Sequence, residues 1–256
     1  MFLKTSDAEL LVTSYGDSPR TIIAHGGWVG SGELWAAPFE RLSRSWRTVT
    51  YDHRGTGATR HSAPAITFDL LVGDLFRVLD ALNIDTCVLA AESMGAMVAL
   101  EAAVRHPERF TGLVIVGGRY SGARTPARDR LVAGCKADFR ATMEAFVNAC
   151  TPEADCEAER AWGKLIVNRS NAVDAVRMME CVEGVDLEPR LASITLPTLA
   201  LHGRHDVIAP LASSERLVEL IAGSKLVVAE DAGHVPTVTR PDWVAREIDA
   251  FFAGKL

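Results

Sequence analysis

Along this chain, short runs of consecutive apolar and mostly β-branched residues alternate with longer segments whose apolar positions recur every three or four residues. The runs fall at 21–24, 48–51, 87–91, 113–116, 198–201 and 226–229. Near-continuous runs, rather than strict alternation, are what strands covered on both faces require. Between them, 68–82 places Leu71, Leu75, Val78, Leu79 and Leu82 at helical spacing. The segment 94–104 is almost wholly apolar, which predicts a buried helix. Another helix is expected over about 211–221. The last, 241–252, opens on proline, a good first-turn residue, and puts Val244, Ile248, Phe251 and Phe252 on one side. Strands and helices in this order predict an α/β protein with a mostly parallel central sheet flanked by helices.

One stretch breaks the rhythm. From about 120 to 189 no strand-like run occurs, only charged helical patterns such as 140–150 and 161–167. We therefore expect one domain over 1–256, with a helical insertion at about 120–189. A length of 256 residues suits a single large core.

Charge and cysteine content narrow the function. The 27 basic residues are scattered and the formal net charge is −6. A nucleic-acid partner would need a basic stripe to neutralise phosphates, so none is expected. Apolar stretches fall short of the ~20 residues of a membrane span. Met1-Phe2-Leu3-Lys4 lacks the basic and apolar regions of a secretory leader. A cytoplasmic protein is the expectation, with the five cysteines as free thiols. Cys150 and Cys156 are too far apart for a metal knuckle and no histidine pair completes a site, so no metal is expected.

In open α/β sheets ligands bind beyond the carboxyl ends of the strands. Those ends carry His25-Gly26-Gly27-Trp28, Asp52-His53-Arg54-Gly55-Thr56-Gly57, Glu92-Ser93-Met94-Gly95, His202-Gly203-Arg204-His205-Asp206 and Asp231-Ala232-Gly233-His234. A serine, an acid and a histidine thus share one edge of the sheet. A serine hydroxyl needs a base to become a nucleophile. It is best exposed on a sharp strand-to-helix turn, with small residues two positions to either side; Ala91 and Gly95 supply them. The following helix would aim its positive end at the developing oxyanion. A plain helix-capping serine is the bland alternative, and its place between a strand and an apolar helix argues against that.

Taken together, these five strings resemble the α/β-hydrolase superfamily, whose triad also runs serine, acid, histidine along the chain. The match extends from about residue 20 onward, the insertion excepted, with Ala91 where the elbow motif has glycine. The resemblance implies Ser93 as nucleophile, His234 as general base and Asp206 as the acid that orients it, Asp231 being the rival. It also implies a lid where the insertion falls. Oxyanion donors would be the backbone N–H groups of Met94 and Gly27, with Trp28 one position further as the fallback. Asp52 and Arg54 are expected to brace neighbouring loops, and the remaining histidines to be structural. Trp28 and Met94 are expected to face the pocket. Tyr120, Phe139, Met143 and Trp162 are candidate pocket walls, along with Phe146, Met178 and Met179, although fastening the insertion to the body is the favoured role for these.

The expected reaction is hydrolysis of a small or medium carboxylic ester or lactone through an acyl-enzyme, with no cofactor. The same triad also serves thioesterases, carbon–carbon bond hydrolases and perhydrolases. A ligand receptor with little turnover would keep it too. Oligomeric state is not legible.

Overall fold

The computed structural model describes residues 1–255. The described residues form nine strands: β1 (Phe2–Lys4), β2 (Ala8–Tyr15), β3 (Thr21–His25), β4 (Arg47–Tyr51), β5 (Arg60–His61), β6 (Cys87–Glu92), β7 (Phe110–Val116), β8 (Thr198–Gly203) and β9 (Lys225–Ala229). They form one sheet in the order β1-β2-β4-β3-β6-β7-β8-β9, with β5 paired to β2. From β4 through β3 to β9 every pairing is parallel, and β2 joins β4 antiparallel.

The parallel strands bury both faces, and their side chains divide cleanly. Ile22, Ala24, Val88, Ala90, Val114 and Val116 join one core with α1 (Ala36–Leu42) and the late helix of Pro241–Phe252. Ile23, Leu89, Ala91, Leu113 and Ile115 join the other, against α2 (Phe68–Ala81) and α3 (Gly95–Arg105). Thr67 starts α2 by accepting a hydrogen bond from the Leu70 amide.

The expected insertion is present as five helices between β7 and β8: α4 (Pro126–Ala137), α5 (Phe139–Cys150), α6 (Glu157–Val167), α7 (Ala172–Cys181) and α8 (Glu188–Leu191). Thr125, Asp138 and Asn171 cap three of them. α9 (Leu211–Leu220), α10 (Pro236–Thr239) and α11 (Pro241–Phe252) complete the chain. Among the described residues no helix is long and apolar enough to cross a membrane.

Three strands were not expected: β1, β2 and the two-residue β5 that pairs with β2. β1 and β2 form an antiparallel edge in which Ala8, Leu10 and Val12 point inward while Glu9, Leu11 and Thr13 stay partly exposed. A strand packed on one face alternates, so it escapes a search for continuous apolar runs.

Arg54 fastens this edge to the body. Its fully buried guanidinium meets Asp74 of α2 through Nε at 2.6 Å and Asp7 of the β1–β2 turn through both terminal nitrogens at 2.8 Å. Burial opposes its charge, but the two carboxylates outweigh that and raise its pKa. Cutting one member from a buried pair leaves the others uncompensated, a cost of about 3–5 kcal/mol. Arg54→Ala should therefore lower the unfolding free energy by about that amount in denaturant titration. A loss nearer that of an exposed pair, below ~1 kcal/mol, would mean that water already screens the cage.

Candidate active site

The carboxyl ends of β3, β6, β8 and β9 converge on one serine. β6 ends at Glu92 and α3 begins at Gly95, so the chain reverses from strand to helix within two residues. Ser93 makes that turn with φ +51°, in the left-handed region that side chains rarely adopt. The strain is held by β7 and the loop after it: the Ser93 amide donates to Val116 O at 2.9 Å, and the Arg119 amide donates to Ser93 O at 3.1 Å.

Gly95 shows why the elbow needs a small residue. A Cβ there would overlap the Gly26 carbonyl oxygen and press within 2.9 Å of His25 Nδ1. The helix therefore seats directly on the His25-Gly26-Gly27 loop.

His234 sets Nε2 2.9 Å from Ser93 Oγ and Nδ1 2.7 Å from Asp206 Oδ2. An ionised carboxylate only accepts, so Nδ1 carries the ring proton and Nε2 is left to accept from the serine hydroxyl. Asp206 is well supplied with donors. Its Oδ1 accepts from the Ile208 and Ala209 amides at 2.8 and 2.9 Å, and His202 Nε2 lies 3.3 Å from Oδ2. Burial opposes ionisation, yet hydrogen bonds from His202 and His234 hold the carboxyl well below the ordinary range. Gly117, itself at φ +51°, lies against this pair, where a Cβ would come within 3.3 Å of His234 Nδ1. Asp231 lies on the surface, paired with Arg240 at 2.8 Å.

Gly27 packs its Cα toward Ser93, and its carbonyl oxygen lies 2.9 Å from His53 Nε2. Among the described residues, no backbone carbonyl accepts from the Gly27 or Met94 amide. The Gly27 amide also leans toward Glu92, a buried carboxyl whose pKa is raised by desolvation against the pull of Thr237, His234 and Gly27. Thr237 donates to it at 2.8 Å.

Two narrow cavities flank Ser93, of about 50 and 40 Å³. Trp28 and Phe146 wall both, their rings edge-to-face at 5.2 Å. Met94 lines the second, and Met179 joins it. Tyr120, Phe139, Met143 and Trp162 line neither. Met143 is fully buried in the core, and the other three pack against core clusters, fastening the insertion to the body.

Four contributors escaped the sequence reading. Glu153, between α5 and α6, accepts from the Gly233 amide at 2.7 Å and Thr239 Oγ1 at 2.9 Å. The Cys150 carbonyl takes the His234 amide at 2.9 Å. The insertion thus holds the loop that carries His234. His202, read as merely structural, lies against the Asp206 carboxylate, and Glu92 sits beneath the Gly26–Gly27 loop.

A family model described as alpha/beta hydrolase fold matches residues 20–241, and the chain belongs to this family. A protein named "Putative carbamate hydrolase RutD" from Rhizobium rhizogenes is 27% identical over 253 residues, covering 92% of this chain and 94% of its own. A hydrolase from Pseudomonas aeruginosa PA01 superposes with a TM-score of 0.89 at 26% identity, covering 98% and 97% of the two chains. The enol-lactonase from Burkholderia xenovorans LB400 gives 0.89 at 22% identity over 96% and 97%, a likeness of fold. The chain is an enzyme, a hydrolase of the α/β family.

The seating of α3 on the Gly26 carbonyl generates a test. Gly95→Ala should displace the Gly26–Gly27 loop and lower kcat/KM on an activated acetate ester by about a hundredfold, as a misplacement near 1 Å does. An unchanged rate in a folded variant would show that the loop yields without cost.

Proposed function

We propose that the chain is a serine hydrolase acting on small or medium carboxylic esters or lactones through an acyl-enzyme. The observation that carries this reading is the unbroken relay Ser93 Oγ, His234, Asp206, at 2.9 and 2.7 Å. Ser93 attacks the acyl carbon while His234 Nε2 takes its proton, and Asp206 stabilises the resulting imidazolium. The Met94 and Gly27 amides are the donors for the oxyanion. His234 then protonates the departing alcohol. Water, deprotonated by the same ring, releases the acid from Ser93 and restores the enzyme.

The two narrow, mainly apolar cavities support short groups on each side of the scissile bond. We read the helices of the insertion as a lid over this centre. A carbamate is the second reading, favoured by the name borne by relatives that match 92% of the chain. The chemistry is the same acyl transfer with nitrogen on the acyl carbon.

Intact-mass labelling with a fluorophosphonate should give a single adduct that Ser93→Ala abolishes, and that variant should lose on the order of 10⁴-fold or more in turnover. No adduct on folded protein would end the nucleophile assignment and favour a ligand receptor. Asp206→Asn should lower kcat by about 10⁴-fold through the wrong histidine tautomer. Asp231→Asn should change it little, and the reverse order would exchange the two acids. Short p-nitrophenyl esters, lactones and phenyl carbamates assayed side by side separate the two substrate readings.

A further inference from the structure

The cavity on the Met94 side of Ser93 has an unusual charge pattern. Its polar lining includes two arginines, Arg119 and Arg128, and no carboxylate. This occurs in a chain whose formal net charge is −6. The remaining wall is largely apolar, with Trp28, Met97, Phe146 and Ile208 among its members.

The two arginines differ. Arg128 on α4 is 6% exposed and is tied through one terminal nitrogen to Glu183 at 2.7 Å and the Met179 carbonyl at 2.9 Å. Its buried Nε has no acceptor. Arg119 is half-buried, and among the described residues no carboxylate lies within ion-pair distance of it. Burial and the positive charge of Arg128 both lower its pKa, and no anion offsets them. Its backbone is fixed relative to the reacting centre, because its amide donates to the Ser93 carbonyl at 3.1 Å.

A half-buried guanidinium with a cation for a neighbour is unfavourable unless an anion arrives. The fork of five donors on arginine suits a carboxylate, and apolar walls strengthen such a pair by excluding water. We propose that this cavity is an anion subsite in which Arg119 grips a carboxylate carried by the substrate. The preferred esters or lactones are then those bearing a second, ionised acid group, such as half-esters of short dicarboxylic acids. This deepens the hydrolase reading and rests on it for the scissile bond, while the anion site itself can be tested without turnover.

The test compares monomethyl and dimethyl glutarate as substrates of the wild type and of Arg119→Met. The wild type should favour the half-ester, and Arg119→Met should cut that preference about ten- to a hundredfold, mainly through KM, as loss of a charged hydrogen bond does. Arg119→Lys should retain part of it, because a point charge replaces the fork. Calorimetric titration with glutarate against uncharged glutaramide needs neither turnover nor a stable variant. Glutarate binding without glutaramide binding supports the subsite even if Ser93 resists the fluorophosphonate, an outcome that would sink the hydrolase reading alone. Equal behaviour of the two ligands, or the same half-ester preference in wild type and Arg119→Met, would overturn the subsite while leaving ester hydrolysis standing.

Discussion

Ser93 is held at φ +51°, and a non-glycine residue in that conformation costs roughly 1–3 kcal/mol unless its surroundings over-determine it. Here they do. Val116 and Arg119, at the end of β7 and in the loop after it, bind the serine amide and carbonyl respectively. The strain projects the hydroxyl out of the sheet edge, and every other part of the site is fitted to that position. α3 starts immediately beyond it and rests on the Gly26 carbonyl, so the Gly26–Gly27 loop and Ser93 share one contact.

Asp206 and His234 are positioned by different means. Four groups surround the Asp206 carboxylate, and three of them, the Ile208 and Ala209 amides and His202, lie within four residues of it along the chain. His234 has no such local support. Its loop is held from the insertion, through the Cys150 carbonyl and the Glu153 carboxyl. Electrostatics from near neighbours holds Asp206, whereas tertiary contact over about eighty residues of sequence holds the loop of His234.

This difference accounts for what the sequence discloses. The parallel strands are legible because burial on both faces writes a continuous apolar run, as in Cys87–Glu92. Ser93 is legible because its turn demands Ala91 and Gly95 beside it. Glu153 and Arg119 carry no local mark, since their roles depend on which distant backbone or cavity they meet. The pocket walls fail for a related reason. Phe139, Met143 and Phe146 lie along one stripe of α5, and at about 1.5 Å per residue the first and last stand some 10 Å apart. Only the Phe146 end reaches Ser93. Periodicity identifies the stripe but not the height at which it meets the site. β2 was missed because its alternation writes a weaker signal than a doubly covered strand.

The Cys150–Glu153 junction also bears on how such enzymes can be recombined. Glu153 reaches both the Gly233 amide and the Thr239 hydroxyl, so that segment and the loop from Gly233 to Thr239 behave as one inherited part although eighty residues separate them. A chimaera that takes its insertion from one parent and its C-terminal third from another inherits a mismatched pair, however well the helices pack. The workable exchange boundary therefore lies inside the insertion, with residues 150–153 kept alongside their native histidine loop and the helices to either side left free to vary.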